Sequence, residues 1–240
     1  MILIKRDLLF GFFVVSTSVL ASNSYVPVLY NFSLLYGFMP VAGAVKNLNV
    51  VIENDKGKMV YELEASLNES GCIDSMQFND VRKKSELILK RDGRSLKGVK
   101  DWSIIVITLD EKCNIVSKTE NGGFEEYNTG ENGLLTATRF MGNKVSEYAY
   151  DASGRMTMTK FFSSRGVTAT NVVTYSDPEH KPLDYKLINR SQYSENYTSE
   201  SLCKYDKQGT PSSCDVTITY DDHPARKPLR LKVMTKATFY

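Results

Sequence analysis

Punctuation constrains this chain more than any other property. Short runs of β-branched and aromatic residues are separated repeatedly by Asn, Asp and Gly, and few stretches carry apolar residues at helical spacing. Glycine supplies the positive φ of a tight turn and Asn or Asp caps it through the side chain, so each cluster predicts a reversal of an extended chain. Asn47 to Glu53 and Met59 to Leu67 form such a pair around Asn54-Asp55-Lys56-Gly57. The same grammar recurs at Asp92-Gly93, Gly130 to Gly133, Met141-Gly142-Asn143, Asp151 to Gly154 and Asp206 to Gly209. The expected class is all-β: an antiparallel meander of hairpins, as a curved sheet or open barrel, in a single domain over 45–240.

Two turns are near copies, Tyr150-Asp151-Ala152-Ser153-Gly154 and Tyr205-Asp206-Lys207-Gln208-Gly209. They resemble the YD repeats of Rhs-type wrapping proteins, a resemblance that implies topology and no chemistry. A second echo joins Tyr175 to Leu183 with Tyr220 to Leu229, each an acidic turn with His and Pro leading into Lys-Pro-Leu. These read as longer loops at one end of the sheet. The aromatic residues of Tyr25 to Met39, within an N-terminal segment at 22–44, could cover a sheet edge or plug a core.

The chain opens with Lys5 and Arg6 followed by Leu8 to Leu20 without a charge, the pattern of a secretory signal over 1–21, with cleavage expected after Ala21. That run falls short of the roughly 20 residues that span a bilayer. Of 30 Lys and Arg and 28 Asp and Glu, cleavage removes Lys5, Arg6 and Asp7, leaving 28 against 27 and no basic field for nucleic acid. The basic stretches at Arg82 to Lys84 and Lys90, Arg91, Arg94 read as solvated faces. Four cysteines in an exported chain favour two disulfides, for which three pairings exist. Cys203 and Cys214 flank a strand-turn-strand pattern and so pair with each other, leaving Cys72 for Cys113. Metal binding is not expected: no two cysteines lie two to four residues apart, and neither of the two histidines is near one. No cofactor is implied.

No nucleophile elbow, zinc helix, phosphate loop or dinucleotide fingerprint is present. His180 and His223 sit in the echoed loops and form the candidate rim site, an anion pair with Lys181, Arg226 and Lys227, or else two solvated turn histidines. Glu125-Glu126 and Asp221-Asp222 are assigned to solvent, the 14 tyrosines to cross-strand packing, and Trp102, ahead of Ile104 to Ile107, to the core.

Gly43 to Lys46, Ser70-Gly71-Cys72-Ile73-Asp74, Leu183-Asp184-Tyr185, Cys203 to Asp206, Cys214 and Tyr240 together resemble the YnfC family of enterobacterial lipoproteins. The resemblance implies an envelope location and the disulfide framework, and carries over no catalytic residue. Where such lipoproteins place the lipid-bearing cysteine after a leucine and two small residues, Leu20-Ala21-Ser22 is followed here by Asn23. A soluble periplasmic protein is therefore expected in place of an anchored one. Membrane association is expected only through an uncleaved signal or a partner. The function expected is non-enzymatic: a binding or structural role toward an envelope protein or glycan. The alternatives are a hydrolase using carboxylates or the histidines, and an inhibitor or immunity-type protein.

Overall fold

The computed structural model describes residues 25–206 and 210–240; the signal segment at 1–21 lies outside them. The first half of the chain runs through β1 (Val45–Asn54), β2 (Met59–Leu67), β3 (Ile73–Asp80), β4 (Ser85–Asp92), β5 (Ser95–Lys100), β6 (Ser103–Leu109), β7 (Ile115–Glu120) and β8 (Gly123–Thr129). It continues through β9 (Leu135–Phe140), β10 (Asn143–Tyr150), β11 (Met156–Ser163), β12 (Gly166–Tyr175), β13 (Tyr185–Ser191), β14 (Tyr197–Tyr205), β15 (Pro211–Tyr220) and β16 (Leu229–Phe239). Each strand pairs antiparallel with its chain neighbours, and β1 pairs with β16 from Val45↔Phe239 to Asn54↔Leu231. The meander is therefore a closed up-and-down barrel, whose closure leaves no strand edge free.

One turn chemistry recurs. In the connections beginning at Asn54, Asn68, Asp110 and Asp151, the first side-chain oxygen accepts the N–H groups of the third and fifth residues. The fourth residue is left-handed in each: Gly57, Gly71, Cys113 and Gly154. Cys113 thus holds a position the other three give to glycine, at φ 64°. Its sulfur is bonded to Cys72 of the β2–β3 connection, which ties two turns together across the barrel end. Cys203 and Cys214 face each other on β14 and β15 and form the second disulfide. Both pairings are those expected.

An up-and-down path puts connections that follow even-numbered strands at one end and those that follow odd-numbered strands at the other. The even end also takes a helix, α1 (Pro27–Tyr36), and is called the plug end. Pro27 starts α1, where a missing N–H costs nothing, and Gly37 ends it at φ 74°. Val26 packs against Gly71, and Pro27 against Gly133, so α1 enters the lumen between two turns. Leu29 and Phe32 are fully buried, and Asn31 bridges the wall by donating to the Gly133 carbonyl and accepting from Leu135 N–H. Deeper in, the Tyr36 carbonyl accepts from the Tyr61 hydroxyl, and its ring meets Phe78. The aromatic N-terminal segment is a plug. Tyrosines surround it: Tyr30 packs on Tyr25 and Tyr150, and Tyr175 faces Tyr185 across β12 and β13.

Alternation along each strand sorts the wall. Inward residues of β1 to β6, β15 and β16 are mostly apolar and form the core with the plug, among them Leu48, Val50, Leu63, Leu87, Ile105 and Val233. Outward residues form charged cross-strand pairs, such as Glu53↔Lys232, Glu147↔Lys160 and Lys186↔Glu200. Trp102, expected in the core, is 98% exposed. Ile105 and Ile107 take the inward positions of β6, leaving Asp101-Trp102 as the whole β5–β6 connection.

Candidate functional site

The structure does not bring the two histidines together. His180 lies in the β12–β13 connection at the plug end and His223 in the β15–β16 connection at the far end. Three strands separate the two loops, and an odd number reverses the direction. At about 3.3 Å per residue along tilted strands, the two ends stand roughly 25 Å apart. Each histidine has its own carboxylate: Asp177 lies 3.0 Å from His180, and Glu195 3.5 Å from His223. The echoed loops therefore occupy opposite ends of the barrel, which corrects the expectation of one shared rim.

Inside the barrel, one arc is polar. Register places Lys100 opposite Leu87, Lys118 opposite Ile107 and Glu120 opposite Ile105, so all three point inward. They join Glu125 in a chain: Lys100 to Glu120 at 2.6 Å, Lys118 to Glu120 at 3.4 Å and Lys118 to Glu125 at 2.9 Å. Glu125, assigned to solvent from its sequence, faces the lumen because Glu126 takes the outward position. Burial raises the Glu120 carboxyl, but the hydrogen bond and charges of Lys100 and Lys118 outweigh it and hold the group below its ordinary value. Tyr127 donates to Glu125, and its hydroxyl is pushed far up by burial and then by that carboxylate. Thr138 and Ser146 share a hydrogen bond further round, and Asn189 donates to Asn171 at 2.7 Å. Acids and bases here neutralise one another, which suits a structural lumen better than a reacting one. Among the described residues no group of three or more His, Cys, Asp or Glu is placed to hold a metal.

The outer wall offers a different surface. Across β16, β1, β2, β3 and β4 it is concave and forms a groove of about 460 Å³. Pairing aligns outward residues into rungs: Thr238–Asn47–Ser66–Ser75–Lys90, then Lys236–Asn49–Glu64–Gln77–Ile88. The groove continues past Glu62, Asn79 and Glu86 of the next rung. Several of these groups are held in place by one another: Gln77 donates to Glu64 at 2.7 Å, Ser66 meets Ser75 at 2.7 Å and Asn47 donates to Thr238 at 3.0 Å. Ordered amides, hydroxyls and carboxylates at fixed rung spacing provide both donors and acceptors. Sequence reasoning did not single out this site. Its only trace is polar alternation at Asn47, Asn49 and at Glu62, Glu64, Ser66, which any half-exposed strand shows.

Fold and site define an up-and-down β-barrel, plugged at one end, stapled by two disulfides and grooved along its outer wall. Residues 8–240 match the family described as "Uncharacterised protein family (UPF0257)", and the chain belongs to that family. Relatives called "UPF0257 lipoprotein YnfC" in Salmonella paratyphi C and Salmonella paratyphi B are 25% and 24% identical over 196 residues, which is 82% of this chain and 81% of each relative. A porin-like protein from Bacteroides uniformis is similar in structure at a TM-score of 0.47 and 9% identity, covering 81% of this chain and 98% of that one. A second, from Bacteroides vulgatus, reaches 0.23 at 8% identity, covering 82% of this chain and 98% of that one.

Proposed function

We propose that this chain is a non-enzymatic binding protein of the cell envelope that takes a polar, glycan-type ligand along the groove of β16, β1, β2, β3 and β4. The carrying observation is the groove itself: concave, lined by polar outward side chains and built on a wall whose neighbouring strands are all paired. Its outward rungs hold amides, hydroxyls, carboxylates and lysines but no Trp, Tyr, Phe or Arg, the side chains that anchor protein interfaces. Ile88, half exposed amid them, offers a spot for the C–H face of a sugar ring. An exported, periplasmic location is supported by the signal-like N-terminus, by the two disulfides and by relatives named as lipoproteins. With Asn23 where a lipidated cysteine stands in such proteins, the mature form has no thiol there to carry a lipid, and salt washing of membranes should release it.

One observation favours a second reading. Glu62 and Glu64 share the outer face of β2, which puts two carboxylates on one side of the strand along the groove, the residue pair a glycosidase uses. One experiment separates the readings. Envelope-derived oligosaccharides are titrated calorimetrically into the protein and into an Asn49→Ala/Gln77→Ala variant, and reducing ends are assayed afterwards. The binding reading expects saturable heat, at least tenfold weaker affinity in the variant, and no new reducing ends. New reducing ends abolished by Glu64→Gln establish the hydrolase, and no saccharide binding contradicts both.

A further inference from the structure

We infer that the far end of the barrel, led by Trp102, is a docking surface for an anionic lipid bilayer. The inference rests on the β5–β6 connection and is independent of the groove. Asp101 and Trp102 both have positive φ, 48° and 70°. Two other two-residue connections at this end, Asn121-Gly122 and Met141-Gly142, follow the same left-handed path and place glycine second. In this one the second residue is a tryptophan, the bulkiest side chain, in a conformation that costs a non-glycine residue about 1–2 kcal/mol. Strain of this kind persists where the surroundings enforce it, and here they do. The Asp101 carboxylate accepts from Glu86 N–H at 2.8 Å and Ser85 Oγ at 2.9 Å, and Asp101 N–H donates to the Glu86 carbonyl at 3.1 Å. The turn is pinned to β4, and the indole is held 98% exposed.

What surrounds it selects the partner. Exposed Met141 and Tyr193 occupy other connections of the same end, and Ile104, 76% exposed, lies on the outer wall beside the turn. Among the described residues, the far-end connections carry eight Lys and Arg against five Asp and Glu, whereas the plug-end connections carry four against nine. The described connections are thus electrically polarised between the two ends although the net charge of the chain is small. Among the described residues, the neighbouring β3–β4 connection, Arg82-Lys83-Lys84, forms its ion pairs only with the buried Asp80. Separate protruding tips that combine an indole, a thioether and a phenol with lysines match a bilayer interface, where Trp and Tyr sit at headgroup depth and basic residues meet anionic lipid. The acidic plug end faces away from that surface.

The test exploits the fact that Trp102 is the only tryptophan in the chain. Full-length protein is mixed with vesicles of phosphatidylcholine alone or with about one third phosphatidylglycerol, a fraction set by the anionic surface the basic tips require. Because the N-terminal apolar segment can enter any bilayer, the readout is Trp102 emission and its quenching by brominated lipid. The expected result is a blue shift and quenching with anionic vesicles only, reversed by salt. Lys83→Glu/Lys84→Glu should weaken that response by roughly tenfold or more. Trp102→Gly, followed by co-sedimentation in place of fluorescence, should lose salt-sensitive binding while raising the melting temperature, because glycine fits the turn. Emission unchanged by vesicles, an equal response to both lipid mixtures, or full salt-sensitive binding by Trp102→Gly overturns the inference. So does an acidic protein shifting Trp102 where anionic vesicles do not.

Discussion

Cys113 shows how a single residue carries two demands. Its left-handed backbone suits glycine, as in the three sister turns, yet its sulfur reaches Cys72 of the β2–β3 turn. The crosslink spans 41 residues against 11 for Cys203–Cys214, and the loop-closure relation then gives about 4 and about 3 kcal/mol respectively. Replacing Cys72 and Cys113 by Ala should therefore lower the unfolding free energy in urea more than replacing the other pair. In the Cys72→Ala background, Cys113→Gly should recover about 1 kcal/mol over Cys113→Ala, because only the backbone demand then remains. Asn31 carries a second single-residue demand. Its amide satisfies the Gly133 carbonyl and Leu135 N–H, so Asn31→Leu should cost about 1–3 kcal/mol in the same measurement despite its apolar surroundings.

At the scale of elements, the hairpins were legible and their ends were not drawn from them. Asn54 and Asp151 marked turns because the capping oxygen and the left-handed fourth residue are written within five positions. The separation of His180 from His223 follows from a strand count: Tyr185–Ser191, Tyr197–Tyr205 and Pro211–Tyr220 lie between them, and three reversals change ends. Likeness between the two loops hid that parity. Trp102 was misplaced for a related reason, since alternation assigns alternate residues to one face but leaves the phase of β6 open until its partners are known. The helix escaped notice because burial on every side removes the apolar stripe that marks a surface helix. That burial makes α1 the element on which the plug end depends. Phe32→Ala should cost about 3–5 kcal/mol by calorimetry, with proteolysis then attacking the plug-end turns first.

For the whole molecule, the barrel resolves how so many polar groups share an interior: apolar residues and the plug fill one arc, and paired charges fill the other. This sets its pH limits. Burial raises Asp80, but the hydrogen bonds and charge of Arg82, with Lys83, more than offset it; Glu120 and Asp151 are also held below their ordinary values. Carboxyls lowered in the folded state stabilise it above the unfolded value near 4, and that contribution disappears as pH falls further. The tyrosines act in reverse. Burial pushes Tyr185 up to about 12, and Tyr25, Tyr36 and Tyr175 rise for the same first reason. Their stabilisation is complete below pH 10 and is lost as pH climbs through the folded values. A melting-temperature profile should therefore be flat through neutrality, fall below about pH 4 and fall again above about pH 10. Glu120→Gln should blunt the acid limb. The groove was the least legible feature, because its polar rungs look like any solvated face and only the concavity of the assembled wall distinguishes them.

That concavity is the basis of the functional account, and backbone amide NMR during titration with envelope-derived oligosaccharides tests it most directly. The account predicts saturable shifts confined to β16, β1, β2, β3 and β4, centred on Asn49, Glu64 and Gln77. Shifts centred instead on the lumen or the plug-end turns, or no shifts with any saccharide, would contradict it.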